Sequence, residues 1–133
     1  NTTALKSQTF QQSSMDMSLT ANSISSDGDL ARIIIKAENG LSALSSDERL
    51  RFHFWMLVAV RRFEAIYIQA LHGSIERERI EGFERSIMSL LSNVGSEWWK
   101  ATKSAFSSEF IAYADQNISS GNFSSAVHPG KNS

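Results

Sequence analysis

The chain has 133 residues, with 13 Lys plus Arg against 14 Asp plus Glu, no Cys, one Pro and 41% hydrophobic residues, which suits a single soluble domain with one core. A formal net charge of -1 provides no global basic field for nucleic acid, and the lack of Cys excludes disulfide scaffolds, thiolate zinc sites, iron–sulfur clusters and cysteine nucleophiles. The longest apolar run, Phe54 to Val60, falls far short of the roughly 20 residues that a membrane-spanning helix needs.

Residues 1–26 carry only Lys6 and Asp16 as charges and are otherwise rich in Ser, Thr, Gln and Asn. Phe10, Met17, Ala21 and Ile24 recur at helical spacing, so this segment is predicted as a polar N-terminal helix or arm that depends on a tertiary partner or on an upstream helix to extend. The chain opens on Asn1 rather than Met, with no charged and apolar leader behind it, so a segment upstream is expected to have been removed.

Ser26-Asp27-Gly28-Asp29 has the spacing of a helix start, followed by Leu30, Ile33, Ile34 and Ala37 on one face, with Asn39-Gly40 as the stop. Ser45 with Glu48 three residues on is a clearer capping box, and the helix it opens is predicted to run over about 45–72 until Gly73 ends it. Two apolar stripes follow this helix: Phe52, Met56, Val60, Phe63, Tyr67 and Leu71 on one face, and Leu50, Phe54, Leu57, Val58, Ala65 and Ile68 on its neighbour. A helix apolar over so much of its circumference is predicted to be the central one, covered from several sides, with Trp55 and Phe63 among its core rings.

Ser74 is predicted to cap an antiparallel helix carrying Ile80, Phe83, Ile87, Leu90 and Leu91. Ser96 is predicted to cap a short helix with Trp98 and Trp99, and Ser107 a last one with Phe110, Ala114 and Ile118. No segment alternates with period two, so the fold class is all-α: a compact bundle of five to six helices around the long central helix. The domain is read as 1–118, with 119–133 a flexible, disordered tail of Ser, Gly and Asn.

No catalytic, cofactor or metal residue is assigned. The sequence holds no Gly-x-Ser-x-Gly elbow and no glycine-rich phosphate loop, and its three histidines have no partner at i+4. The candidate ligand or interface residues are Arg61, Arg62, Glu64, Tyr67, Trp98 and Trp99. Arg61 and Glu64 stand at i, i+3, which favours an intrahelical ion pair reaching Glu81, Glu84 or Arg85 on the next helix; a less economical reading is an anion or acid–base site in a crevice. Trp98 and Trp99, adjacent on a helix, point in different directions, so one is expected in the core and the other at its edge, or at an interface or headgroup layer.

Arg61-Arg62-Phe63-Glu64, Tyr67 with Gln69, Glu81-Gly82-Phe83, Trp98-Trp99, and Phe106-Ser107-Ser108-Glu109-Phe110 with Tyr113 and Asp115 together resemble a family of uncharacterised bacterial proteins. In that family a single N-terminal membrane helix, ending in a basic residue shortly before an Asn-Thr pair, precedes a small helical domain; Asn1-Thr2 matches the pair, and the match runs to about Ile118. The resemblance implies a domain tethered to the bacterial inner membrane on the cytoplasmic side. It brings no activity and no catalytic residue, and the polar first helix departs from the charged one usual in such proteins.

The expected function is a non-enzymatic, membrane-tethered interaction or scaffolding domain that engages a protein partner or a second copy of itself, with no nucleic acid and no cofactor. The alternative is a ligand-binding or sensory domain with a pocket near Arg61, Glu64 and Tyr67. A hydrolase or isomerase using Glu64 or Glu84 with His53 is the remote third, and it requires His53 to reach a carboxylate.

Overall fold

The structure, a computed structural model, describes residues 2–12, 15 and 28–121. Among these the chain is all-helical, as predicted: α1 (2–12), α2 (Gly28–Ala37), α3 (Ser46–Leu71), α4 (Glu81–Ser92), α5 (Ser96–Thr102) and α6 (Ser108–Ser120). Single 3-10 turns at Leu41–Ala43, Arg77–Ile80 and Lys103–Ala105 link them. Met17, Ala21, Ile24 and the expected Ser26 cap lie outside the described residues. The last helix extends to Ser120, two residues past the expected end of the domain, and the remainder of the expected tail also lies outside.

Local chemistry fixes the ends of α3. The Ser45 hydroxyl accepts from the Glu48 amide while the Glu48 carboxylate accepts from the Ser45 amide, a reciprocal capping box. At the other end Gly73 takes φ +81, and the amides of Gly73 and Ser74 bond back to Ala70 and Gln69. This is a Schellman closure, which a Cβ at position 73 would strain. It also explains why Ser74 does not start the next helix as expected. Its amide completes α3, Ile75 drops into the core, and α4 begins after the Arg77–Ile80 turn with no side-chain cap. Ser96 likewise is the first residue of α5 rather than its cap, that place being taken by Gly95. Ser107 caps α6 as expected, its hydroxyl accepting from the Phe110 amide at 3.2 Å.

Glu48 has a second partner in the Lys36 ammonium of α2, at 2.8 Å. The Lys36 bond first, and the Ser45 amide after it, hold the Glu48 carboxyl at about 2 against an ordinary 4.5. A depressed carboxyl pKa stabilises the fold above the unfolded value, and that contribution disappears as pH falls from about 4.5 through about 2. Glu48→Gln is therefore expected to flatten the acid limb of the melting-temperature profile across that window. A wild-type slope left intact in the variant would assign the acid sensitivity elsewhere.

The main core gathers Ile33 of α2, Phe52, Met56, Val60 and Phe63 of α3, Ile87, Met88 and Leu91 of α4, Trp98 and Trp99 of α5, and Phe106 and Phe110 around the start of α6. A smaller cluster of Ile66, Ile75 and Ile80 lies under Phe10 and Phe83, whose rings meet at 6.4 Å and so attach α1 to the bundle. Among the described glycines, Gly95 has the closest surroundings. A Cβ there would stand 2.6 Å from Met56 Cε and 2.9 Å from the Leu90 carbonyl oxygen, and that oxygen already accepts the Gly95 amide. Gly95→Ala is expected to cost about 1–3 kcal/mol, as overpacking against backbone does. Gly82, inside α4 with nothing within 4 Å of its Cβ position, should gain a fraction of a kcal/mol on the same change. Urea denaturation of the two variants should therefore move in opposite directions.

α3 is the spine of the bundle, but it is not enclosed on all sides. Its first stripe is buried through Phe63, while Leu71 emerges half-exposed at the end. Its second stripe is largely open: Leu50 is 56% exposed, Phe54 54% and Val58 43%, and Ala65 is exposed as well. At about 100° per residue these positions lie opposite Phe52, Met56, Ala59 and Phe63. The neighbouring helices converge on that buried side, so among the described residues the second stripe lacks the expected cover.

Candidate functional site

The Arg61–Glu64 pair forms as the i, i+3 spacing predicts, with Nη1 donating to Oε1 at 3.3 Å. Its outer partners differ from those expected on α4. Arg61 Nη2 donates to the Ala105 carbonyl at 3.0 Å and its guanidinium lies 4.6 Å over the Phe106 ring. The buried Glu64 carboxylate accepts the Ser107 amide at 3.0 Å. Together they clamp the α5–α6 connection onto α3. The α4 carboxylate expected here, Glu84, is engaged elsewhere, with Arg77 at 2.7 Å and with the Tyr113 hydroxyl, which donates to it.

Tyr67 stands near that second group. Its ring stacks on Tyr113 at 3.9 Å, 20° from parallel, and meets the edge of Phe110 at 5.9 Å. Burial pushes the Tyr113 phenol well above its usual range, and its bond to Glu84 adds to the effect; burial, then Glu109, raises Tyr67. A neutral phenol that donates to a carboxylate already held by arginine is a brace between α4 and α6, with no activated nucleophile in it.

Both tryptophans are buried, Trp98 to 2% and Trp99 to 3% exposure, which corrects the expectation that only one would be central. Each indole N–H finds an acceptor across the bundle, so neither needs water. Trp98 Nε1 donates to His53 Nδ1 at 3.0 Å, and Trp99 Nε1 to Asp115 Oδ1 at 2.8 Å. Lys103 binds the other oxygen of Asp115 at 2.8 Å. Burial opposes ionisation of Asp115, but the Lys103 and Trp99 bonds outweigh it and hold its carboxyl below the ordinary value. His53 thus spends Nδ1 on an indole rather than on the carboxylate that a hydrolase or isomerase would require.

The six candidate residues do not converge on one site. Arg61 and Arg62 border a groove of about 630 Å³ between α1 and α3, with Gln8, Gln12 and Gln69, whereas Glu64 and Tyr67 line other parts of the fold. A second hollow, of about 530 Å³, opens beside His53 and Trp98 and is edged by Leu41, Arg49 and Leu50. No group of three potential metal ligands occurs among the described residues, and no described helix is long and apolar enough to cross a membrane.

The feature that sequence reasoning misplaced is the outer face of α3. Leu50, Phe54 and Val58 repeat every four residues and form a continuous ridge about 12 Å long. Phe54 is held by its neighbour: its ring meets the edge of the His53 imidazole at 5.3 Å, and that imidazole is fixed in turn by Trp98. The spacing was visible in the sequence. What distinguished this stripe from the core stripe was only which side the other helices would take. A scan against protein-family models and searches of curated proteins and of solved structures find no match to this chain.

Proposed function

We propose that the protein is a non-enzymatic interaction module whose binding surface is the outer face of α3. The observation that carries this reading is the half-exposed ridge of Leu50, Phe54 and Val58 on a helix capped at both ends and packed along its opposite side. Contiguous apolar surface on a rigid element is characteristic of recognition surfaces, and a projecting aromatic ring already fixed by its neighbours loses little freedom on binding. The charged groups described above serve as clamps and braces within the fold, in keeping with a scaffold. Tethering to a bacterial inner membrane, with the domain on the cytoplasmic side, enters this proposal through the family resemblance alone.

A photo-reactive benzophenone residue replacing Phe54, compared with the same residue replacing the exposed Arg85 of α4, tests the reading in cells. A discrete adduct of one mass is expected from position 54 and none from position 85. Equal labelling from both positions, or none from 54, would remove the surface from consideration.

Ligand sensing is a second reading, favoured by the groove that Arg61 and Arg62 share with Gln8, Gln12 and Gln69. Two guanidiniums among amides suit a polar anion. It requires that a dicarboxylate raise the melting temperature of the wild type and not of Arg62→Ala.

A further inference from the structure

The outer face of α3 is self-complementary about Phe54. Asp47, Leu50, Phe54, Val58 and Arg61 fall within an arc of about 80° along about 21 Å of helix. Counted from Phe54, Leu50 stands at -4 and Val58 at +4, Asp47 at -7 and Arg61 at +7. A two-fold axis through Phe54 therefore sets each apolar side chain against an apolar one and each charge against its opposite. Asp47 is exposed and has no ion-pair partner among the described residues. The Arg61 side chain, despite its bonds to Glu64 and Ala105, remains 47% exposed, and a guanidinium has five donors to share.

We infer that the occupant of this face is a second copy of the chain, paired antiparallel through α3 with Phe54 on the two-fold axis. The inference rests on the reading of α3 as an interaction surface and supplies the partner. Leu50 packs on the partner's Val58, Phe54 on the partner's Phe54, and Asp47 pairs with the partner's Arg61 at both ends of the ridge. Other registers are penalised. A parallel pair sets Asp47 on Asp47 and Arg61 on Arg61, and sliding the antiparallel pair by three residues sets Leu50 against Arg61 and leaves Asp47 with no cation opposite it. A single helix-on-helix contact of this length is small beside the roughly 1,200–2,000 Å² of a standard interface, so the dimer is expected to build up only at high protein concentration.

The chain has no Cys, so single-cysteine variants of the full chain report the register without ambiguity. Under mild oxidation Phe54→Cys should form a disulfide dimer by itself, because its two copies meet on the axis. Leu50→Cys and Val58→Cys should each fail alone, being about 12 Å from their own copies, and should crosslink when mixed. Adding Phe54→Asp to both members of the mixture should abolish that product, while circular dichroism shows the fold retained. Equal crosslinking by all three single variants would overturn the inference. So would a Phe54→Cys chain that reacts fully with a bulky maleimide but never crosslinks; the open surface would then await a different protein and the proposed function would stand. A Cys at position 54 that neither crosslinks nor reacts would mean the face is covered within one copy, and both readings would fall.

Discussion

Phe110→Ala is expected to cost about 3–5 kcal/mol, which is most of the stability of a small domain. The ring is fully buried and sits at the centre of the aromatic core. It meets Phe106 at 5.8 Å, Tyr67 and Tyr113 at 5.9 Å, Trp99 at 6.0 Å and Phe63 at 6.1 Å, mostly tilted or edge-on. These rings come from α3, α5, α6 and the turn before it. A cavity at this position therefore opens between helices and cannot be filled by one side chain relaxing. Tyr67 and Tyr113, stacked on each other and tied through Glu84 to Arg77, are poorly placed to collapse inward. Equilibrium denaturation in urea should show the loss, and a midpoint unchanged from the wild type would contradict the packing described. Trp55, expected from the sequence to be as critical as Phe63, is only partly buried against Phe52 at 6.2 Å and should cost less.

The features of the fold that depend on neighbours in sequence were legible in advance. Ser45 with Glu48, Gly73 and Ser107 act within one helical turn, and each does in the structure what its spacing requires. Serines at 74 and 96 offered the same chemistry but lost to backbone geometry: one amide closes α3, and Gly95 precedes α5 because only a glycine fits under Leu90. The depth of Trp98 and Trp99 was not legible, since it depends on His53 and Asp115, which are 45 and 16 residues away in the chain. The open face of α3 was hidden for the same reason. Two apolar stripes look alike in one dimension, and only the docking of the other helices decides which is covered. Arg61 with Glu64 was legible as a pair, and the third member, Ser107, was not.

That third member determines what Glu64 is worth. Glu64→Ala removes the acceptor of the Ser107 amide at the start of α6 and one partner of Arg61. The guanidinium, 47% exposed, can turn to water, and Ser107 is itself an exposed residue, so the loss is that of a charge-assisted hydrogen bond. The expected loss is about 1.5–3 kcal/mol, in the range for a hydrogen bond to a charged group. Glu64→Gln retains a carbonyl oxygen for the amide and should recover a large share of it. Arg61→Met leaves the carboxylate bonded to Ser107, and because the pair is partly solvated, a double-mutant cycle between 61 and 64 should give a coupling of about 1 kcal/mol or less. Hydrogen exchange separates the clamp from the ion pair: the Ser107 amide should be protected in the wild type, in Arg61→Met and in Glu64→Gln, and should exchange freely in Glu64→Ala. If Gln and Ala prove equally damaging, the charge rather than the amide bond holds the α5–α6 connection to α3, and the coupling between Arg61 and Glu64 must then exceed about 1 kcal/mol.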